Sequence, residues 1–306
     1  MTATVSYGIM ASRLGPLAPG LAPHRQLAGL EARGIAQAWL PHLLGLDPLP
    51  VIAAAAALTS KLRFGTAVTP TWPRHPLALM QEALAVQAVS DGRLALGIGV
   101  SDVPTIADVH GIAWRDPVGH LRDYLTVCAQ ARTGQVDFDG GHYRVHATLT
   151  GLPARRLPIL VSGLNPRTIA LAAELADGLI TLLAPPSYLA QAVAPAIAAR
   201  AGFRLVACVP AVVTASTRAA VSAAEQIYRP FWSYTGYAAM LRAAGCADIT
   251  DVVVIGDAGS VATRLAGYAA AGVTDIAVSP FAVPGDPGAV DRTVSLTAAL
   301  TAAAGD

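Results

Sequence analysis

The chain has 306 residues, of which 54% are hydrophobic and only 13% charged, a length that suits one large α/β barrel with insertions. Its formal net charge is +1, Lys61 is the single lysine and no Lys/Arg cluster occurs, which argues against nucleic acid as a partner. No apolar run reaches the length of about 18 residues that a membrane span needs, and Met1–Val5 runs into a strand without a basic, apolar and cleavage-site pattern, so the expectation is a cytoplasmic protein without a membrane partner.

Short apolar runs alternate with longer Ala/Leu-rich ones, the mark of βαβ units and a parallel sheet. In chain order, strands are predicted at 5–10, 36–40, 62–68, 94–100, 158–162, 178–182, 205–213 and 275–279. Helices are predicted between them at 24–33, 50–60, 77–90, 116–131, 166–176, 186–200, 217–228 and 260–271. Pro76 and Pro166 stand at first-turn positions, and Gly34, Gly92, Gly178 and Gly272 follow helix ends. Eight strands favour a closed (β/α)8 TIM barrel, expected here as a single domain over residues 1–306. Two stretches exceed the repeat: a hairpin-like excursion at 134–157, and 228–251, where Tyr228, Phe231, Trp232, Tyr234 and Tyr237 gather in a chain that is only 6% aromatic. The second is expected to cap the substrate side or to pack as an inserted helix pair.

In a parallel barrel the functional face is made by the C-terminal strand ends and the loops after them. Those ends supply Leu40-Pro41-His42, Thr66-Ala67-Val68, Gly99-Val100-Ser101-Asp102, Ser162-Gly163-Leu164-Asn165, Thr181 and Ser279-Pro280, which are mostly small, apolar or hydroxyl-bearing. The seven histidines show no ligand spacing with a carboxylate, and His142 and His146 fit a strand or loop, so no metal is expected. Cys128, Cys208 and Cys246 suit reduced thiols. Neither a Gly-x-Ser-x-Gly elbow nor a phosphate loop occurs, and Gly97-Ile98-Gly99 lacks the third glycine of a dinucleotide fingerprint. Ser162-Gly163-Leu164 leads into a helix N-terminus, where backbone donors and the dipole suit a phosphate. His42 and Asp102 are the candidate proton-transfer residues; a plain hydrogen-bonding role in a loop is the alternative for each. Asp91-Gly92-Arg93 and Asp177-Gly178 precede strands and fall on the opposite, stabilising face.

Several stretches together resemble the bacterial luciferase-like family of flavin and deazaflavin oxidoreductases. They are Ala38-Trp39-Leu40-Pro41, Leu62-Arg63-Phe64-Gly65-Thr66-Ala67-Val68, Arg74-His75-Pro76, Asp91-Gly92-Arg93-Leu94-Ala95-Leu96-Gly97-Ile98-Gly99, Arg122-Asp123-Tyr124-Leu125 and Ala173-Glu174-Leu175-Ala176-Asp177-Gly178. Within the family, Leu40-Pro41 and the loop Thr69–Pro76 look most like the branch that uses coenzyme F420. The resemblance implies a luciferase-like TIM barrel, commonly a homodimer, with the deazaflavin ring on a bulge at Ala67-Val68 and its phosphate tail near Ser162, Gly163 and Leu164. The cofactor-binding set it implies is Leu40, Pro41, Thr66, Ala67, Val68, Gly99, Ser101, Ser162, Gly163, Leu164 and Thr181. Ser101-Asp102 and His42-Leu43 stand where relatives carry other acid-base groups, which leaves the proton donor open between His42 and Asp102. The expected function is hydride transfer between F420 and a small organic substrate. The alternatives are an FMN-dependent monooxygenase and a cofactor-free barrel that binds an apolar metabolite through Trp232, Tyr234 and Tyr237.

Overall fold

A computed structural model describes residues 5–11 and 21–305. Residues 1–4, 12–20 and 306 lie outside the described residues, and with them most of the N-terminal stretch discussed above. The strands are β1 (Ser6–Met10), β2 (Gln37–Leu40), β3 (Arg63–Thr66), β4 (Thr69–Pro70), β5 (Leu94–Gly99), β6 (Gln135–Asp139), β7 (Arg144–Thr148), β8 (Ile159–Ser162), β9 (Gly178–Leu182), β10 (Arg204–Val213), β11 (Val254–Gly256) and β12 (Asp275–Ser279). Strands β1, β2, β3, β5, β8, β9, β10 and β12 pair in parallel in that order, and β12 returns to β1 through Ser6 opposite Asp275. The molecule is a closed eight-stranded (β/α)8 barrel, and these eight strands are those expected from the sequence.

Two departures follow from strand length. The predicted strand 62–68 stops at Thr66; the chain passes through a cis Ala67–Val68 peptide and resumes as β4, which pairs with Ile98 and Gly99 of β5. Thr66 holds this break in place, because its Oγ1 donates to the Gly97 carbonyl (2.7 Å) and accepts from the Gly97 N–H (2.9 Å). Gly97 makes that approach possible: a Cβ there would lie 2.0 Å from the Thr66 carbonyl oxygen. Strand β11 was not predicted; its three residues are too few to show a period, and it exists by pairing with the far end of β10 at Ala211–Val213.

Helices fill the connections, several of them begun by a capping side chain and a proline. Asp47 accepts from the Leu49 N–H (3.0 Å) ahead of the helix Pro48–Ala56, which therefore starts two residues before its predicted position. The predicted helix 186–200 is three short pieces, Pro186–Tyr188, a π-helical turn Leu189–Val193 and Ala194–Ile197. A C-terminal helix, Ala289–Gly305, was not predicted. Its buried Thr293 and Thr297 weaken the apolar pattern, yet both hydroxyls donate to the carbonyl four residues earlier, at 2.7 and 2.8 Å. The Thr293 hydroxyl also accepts from the Val213 N–H (2.8 Å), which ties the helix to β10. The excursion after residue 134 is the antiparallel hairpin β6–β7.

The apolar residues form two layers. The larger lies between barrel and helices; the smaller fills the barrel itself with Met10, Trp39, Ala95, Leu160, Ile180, Val206, Cys208 and Ala277, against which Ala67, Val68 and Leu182 pack. At the N-terminal end a polar network closes the barrel. Arg204 donates to both oxygens of Asp275 (2.7 and 3.1 Å), and Gln37 donates to Asp275 (3.0 Å) and to Ser6. Burial alone would raise the Asp275 carboxyl, but Arg204, Thr274 and Gln37 outweigh it and hold the group below the usual carboxylate range. Asp177 also lies at this end, bonded to Arg132 (2.6 Å), Arg156 (2.5 Å) and the Ile159 N–H (2.9 Å), as its place before a strand implied.

Candidate active site

Because the polar closure is at one end and the small strand ends at the other, the barrel opens into a cavity of about 670 Å³ at its C-terminal face. The floor is Ala67, Val68, Gly99, Ser162 and Gly163, above Met10, Ile180 and Cys208. One side carries Pro41, His42 and Leu43, the next Ser101 to Pro104, and the far wall comes from Tyr228, Phe231, Tyr234, Tyr237 and Phe281. Of the expected cofactor-binding residues, Pro41, Ala67, Val68, Gly99, Ser101, Ser162, Gly163, Leu164 and Thr181 line this cavity together with His42 and Asp102. Leu40 and Thr66 do not: Leu40 packs into the layer under the helices, and the Thr66 hydroxyl is spent on Gly97. Trp232 is also absent from the lining and lies under the Arg229 guanidinium at 5.2 Å, while Phe231 faces the cavity in its stead.

The floor is built of small side chains around Gly99. A Cβ on Gly99 would sit 2.8 Å from Val68 Cγ2 and 3.1 Å from Ser162 Cβ, so glycine is what lets those two side chains close in over the strand end. Beside it, Asn165 caps the helix Pro166–Leu175 by accepting from the Thr168 N–H (3.0 Å), which leaves a ten-residue helix pointing its N-terminus at the cavity edge.

His42 and Asp102 differ in how committed they are. Asp102 accepts from the Thr105 N–H (2.9 Å) and hydroxyl (3.1 Å), so its carboxylate caps the π-helical turn Pro104–Val109 while also lining the cavity. The buried Nδ1 of His42 has no hydrogen-bond partner among the described residues. Burial is the main cause that pushes the His42 imidazole below 6.5; Asp47 opposes it, and Arg74 and His110 add to it. The ring is therefore neutral at pH 7 and able to accept a proton. Arg74 is held by Asp47 and by Glu82 (2.7 Å) and does not line the cavity.

Sequence reasoning did not find Trp114, Phe281 or the ring cluster behind Trp114. Trp114 lines the cavity, 5.5 Å between ring centres from Trp72, which stacks on His120 at 3.7 Å with the planes 5° apart. His120 bonds Thr71 Oγ1 (2.9 Å) and approaches the Tyr143 hydroxyl (3.5 Å). Trp72, Trp114 and Tyr143 come from three separate segments, so no local pattern in the sequence brings them together. Among the described residues, no group of three or more His, Cys, Asp or Glu is placed to hold a metal ion, and no helix is long and apolar enough to cross a membrane.

The family model for luciferase-like monooxygenases matches residues 11–275. The chain belongs to that family. Among curated relatives, this luciferase-like chain is 32% identical over 160 residues to an F420-dependent glucose-6-phosphate dehydrogenase of Nakamurella multipartita, a match covering 49% of the chain and 46% of the relative. The chain spans about half the length of the curated relatives it matches. The fold itself recurs over whole chains. An F420-dependent secondary alcohol dehydrogenase, solved with an F420-acetone adduct, superposes with a TM-score of 0.81 at 18% identity, covering 100% of both chains. The FMN-bound oxygenating constituent of 3,6-diketocamphane monooxygenase from Pseudomonas putida does so with a TM-score of 0.74 at 16% identity, covering 98% of each.

Proposed function

We propose that this luciferase-like protein is a coenzyme F420-dependent oxidoreductase that moves a hydride between the deazaflavin and a small organic substrate. The observation that carries the reading is the small-residue floor of Ala67, Val68, Gly99 and Ser162, with His42, whose Nδ1 has no hydrogen-bond partner among the described residues, on the same cavity. Curated relatives that bear the F420 name favour the deazaflavin over FMN.

When bound, the deazaflavin supplies a carbon that gives or takes hydride, so the protein has only to position two flat molecules and manage one proton. Ala67, Val68, Gly99 and Ser162 would carry the ring, and Gly163, Leu164 and the helix N-terminus after Asn165 would receive the phosphate. His42 holds or takes the proton of the substrate oxygen, and the apolar walls exclude water from it. Asp102, already capping Thr105, shapes the rim. The same reading takes residues 1–306 as one barrel domain working as a cytoplasmic homodimer, for which the low charge and the exposed Leu43 (72%), Leu44 (70%) and Leu46 (67%) are the support.

The test is a fluorescence titration of the purified protein with coenzyme F420 and, separately, with FMN. Micromolar binding of F420 alone is the expected result. Binding of FMN alone replaces the reading with an FMN-dependent monooxygenase, and binding of neither points to a cofactor-free barrel.

A further inference from the structure

The far wall of the cavity is a herringbone of aromatic rings. Phe231 meets Tyr237 at 5.0 Å and 68° and Tyr234 at 5.6 Å and 80°, and Tyr228 meets Phe281 at 6.0 Å and 79°. Such a wall offers ring edges and faces to a guest, and those contacts favour another flat, polarisable body. The floor opposite is apolar, through Val68, and Asp102 places a carboxylate in the lining. Among the described residues no arginine or lysine lines the cavity; Arg74 is held by Asp47 and Glu82, and Arg229 lies over Trp232 beside Glu225. An anionic substituent set among the Phe231, Tyr234 and Tyr237 rings, rather than at the helix N-terminus after Asn165, would meet apolar surface and Asp102, and a buried unpaired charge is costly.

We infer that the substrate of this site is uncharged and carries a flat aromatic body, which docks against the Phe231, Tyr234 and Tyr237 rings, and that phosphorylated sugars are excluded. The inference rests on the oxidoreductase reading only in taking this cavity as the substrate's. It separates the chain from its glucose-6-phosphate dehydrogenase relatives, whose name specifies a phosphorylated substrate.

The test is isothermal titration of the full chain, with and without oxidised F420, using 2-acetylnaphthalene, its anionic counterpart 6-acetyl-2-naphthoate, and glucose 6-phosphate. The neutral ketone is expected to bind about tenfold or more tightly than the carboxylate, with no measurable heat from glucose 6-phosphate. Phe231→Ala is expected to weaken the ketone by about tenfold and leave F420 affinity unchanged; Tyr234→Leu gives the same reading if Phe231→Ala lowers the melting temperature. Equal or tighter binding of the carboxylate or of glucose 6-phosphate overturns the inference, as does failure of the ketone to bind in either state, and neither result touches F420 binding. Preference for the ketone in a protein that fails to bind F420 upholds the inference and removes the oxidoreductase reading instead.

Discussion

His42 is the residue on which the proposed chemistry turns, since the other ionisable candidate, Asp102, already has its two oxygens occupied by Thr105. His42→Ala is expected to lower turnover by roughly 10²- to 10⁴-fold, the usual worth of a general acid-base group, while F420 affinity stays as it was. In the wild type, turnover in the proton-removing direction should rise with pH through a pKa below 6.5 and be flat at neutrality, because burial depresses this imidazole. A pH profile that rises only above 7 would remove His42 from the role. Gly99 tests the floor: Gly99→Val forces a side chain against Val68 and Ser162, and the expected loss of F420 affinity is about tenfold or more, read by the same titration. Both residues were legible in the sequence, one as a histidine after a strand and the other as a glycine at a strand end. Trp114 was not, because nothing local distinguishes a loop tryptophan that reaches a cavity from one that packs beside it.

At the scale of elements, the helix Pro117–Ala131 and the hairpin β6–β7 are joined through buried His120. Burial, with the neighbouring His142, pushes His120 down to about 4 against the opposite pull of Asp123 and Asp116. The unfolded chain takes up a proton near 6.5 and the folded one only near 4, so this group's contribution is complete above 6.5 and is lost as the pH falls toward 4. The melting temperature should therefore decline between pH 6.5 and 4.5, and His120→Phe should flatten that part of the curve; identical curves for the two proteins would discount the role. The insertion 228–251 was recognised from its rings, yet which rings face the cavity was settled by the turn Arg229–Ser233, which sends Phe231 inward and leaves Trp232 beneath Arg229. Strand β11 and the helix Ala289–Gly305 were missed for a shared reason. Each depends on β10, through ladder pairing in one case and through the Thr293 hydroxyl in the other, and neither partner is visible in a local pattern.

At the scale of the molecule, the barrel divides its labour between its ends. Charged, mutually bonded residues close the N-terminal end, and small or apolar residues open the other. Asp275→Ala leaves the partly buried Arg204 without its carboxylate and is expected to cost about 3 kcal/mol, seen as a lower urea midpoint with F420 affinity unchanged; a change in affinity without one in stability would contradict this division.

The sequence by itself determined the eight-strand alternation, the position of each barrel strand to within a residue or two and the small-residue character of the functional face. These are local properties, set by side-chain period, by proline and glycine at element ends and by what each strand end leaves unfilled. Only the tertiary structure decided that Thr66 turns away to hold Gly97 while Ala67 and Val68 form the floor, that Asp102 is a cap, and that Phe231 rather than Trp232 faces the cavity. The Thr66–Gly97 contact joins residues 31 apart in the chain. Although Asp102 bonds within its own turn and Trp232 meets Arg229 in its own, closure of the barrel is what sets those turns against the cavity.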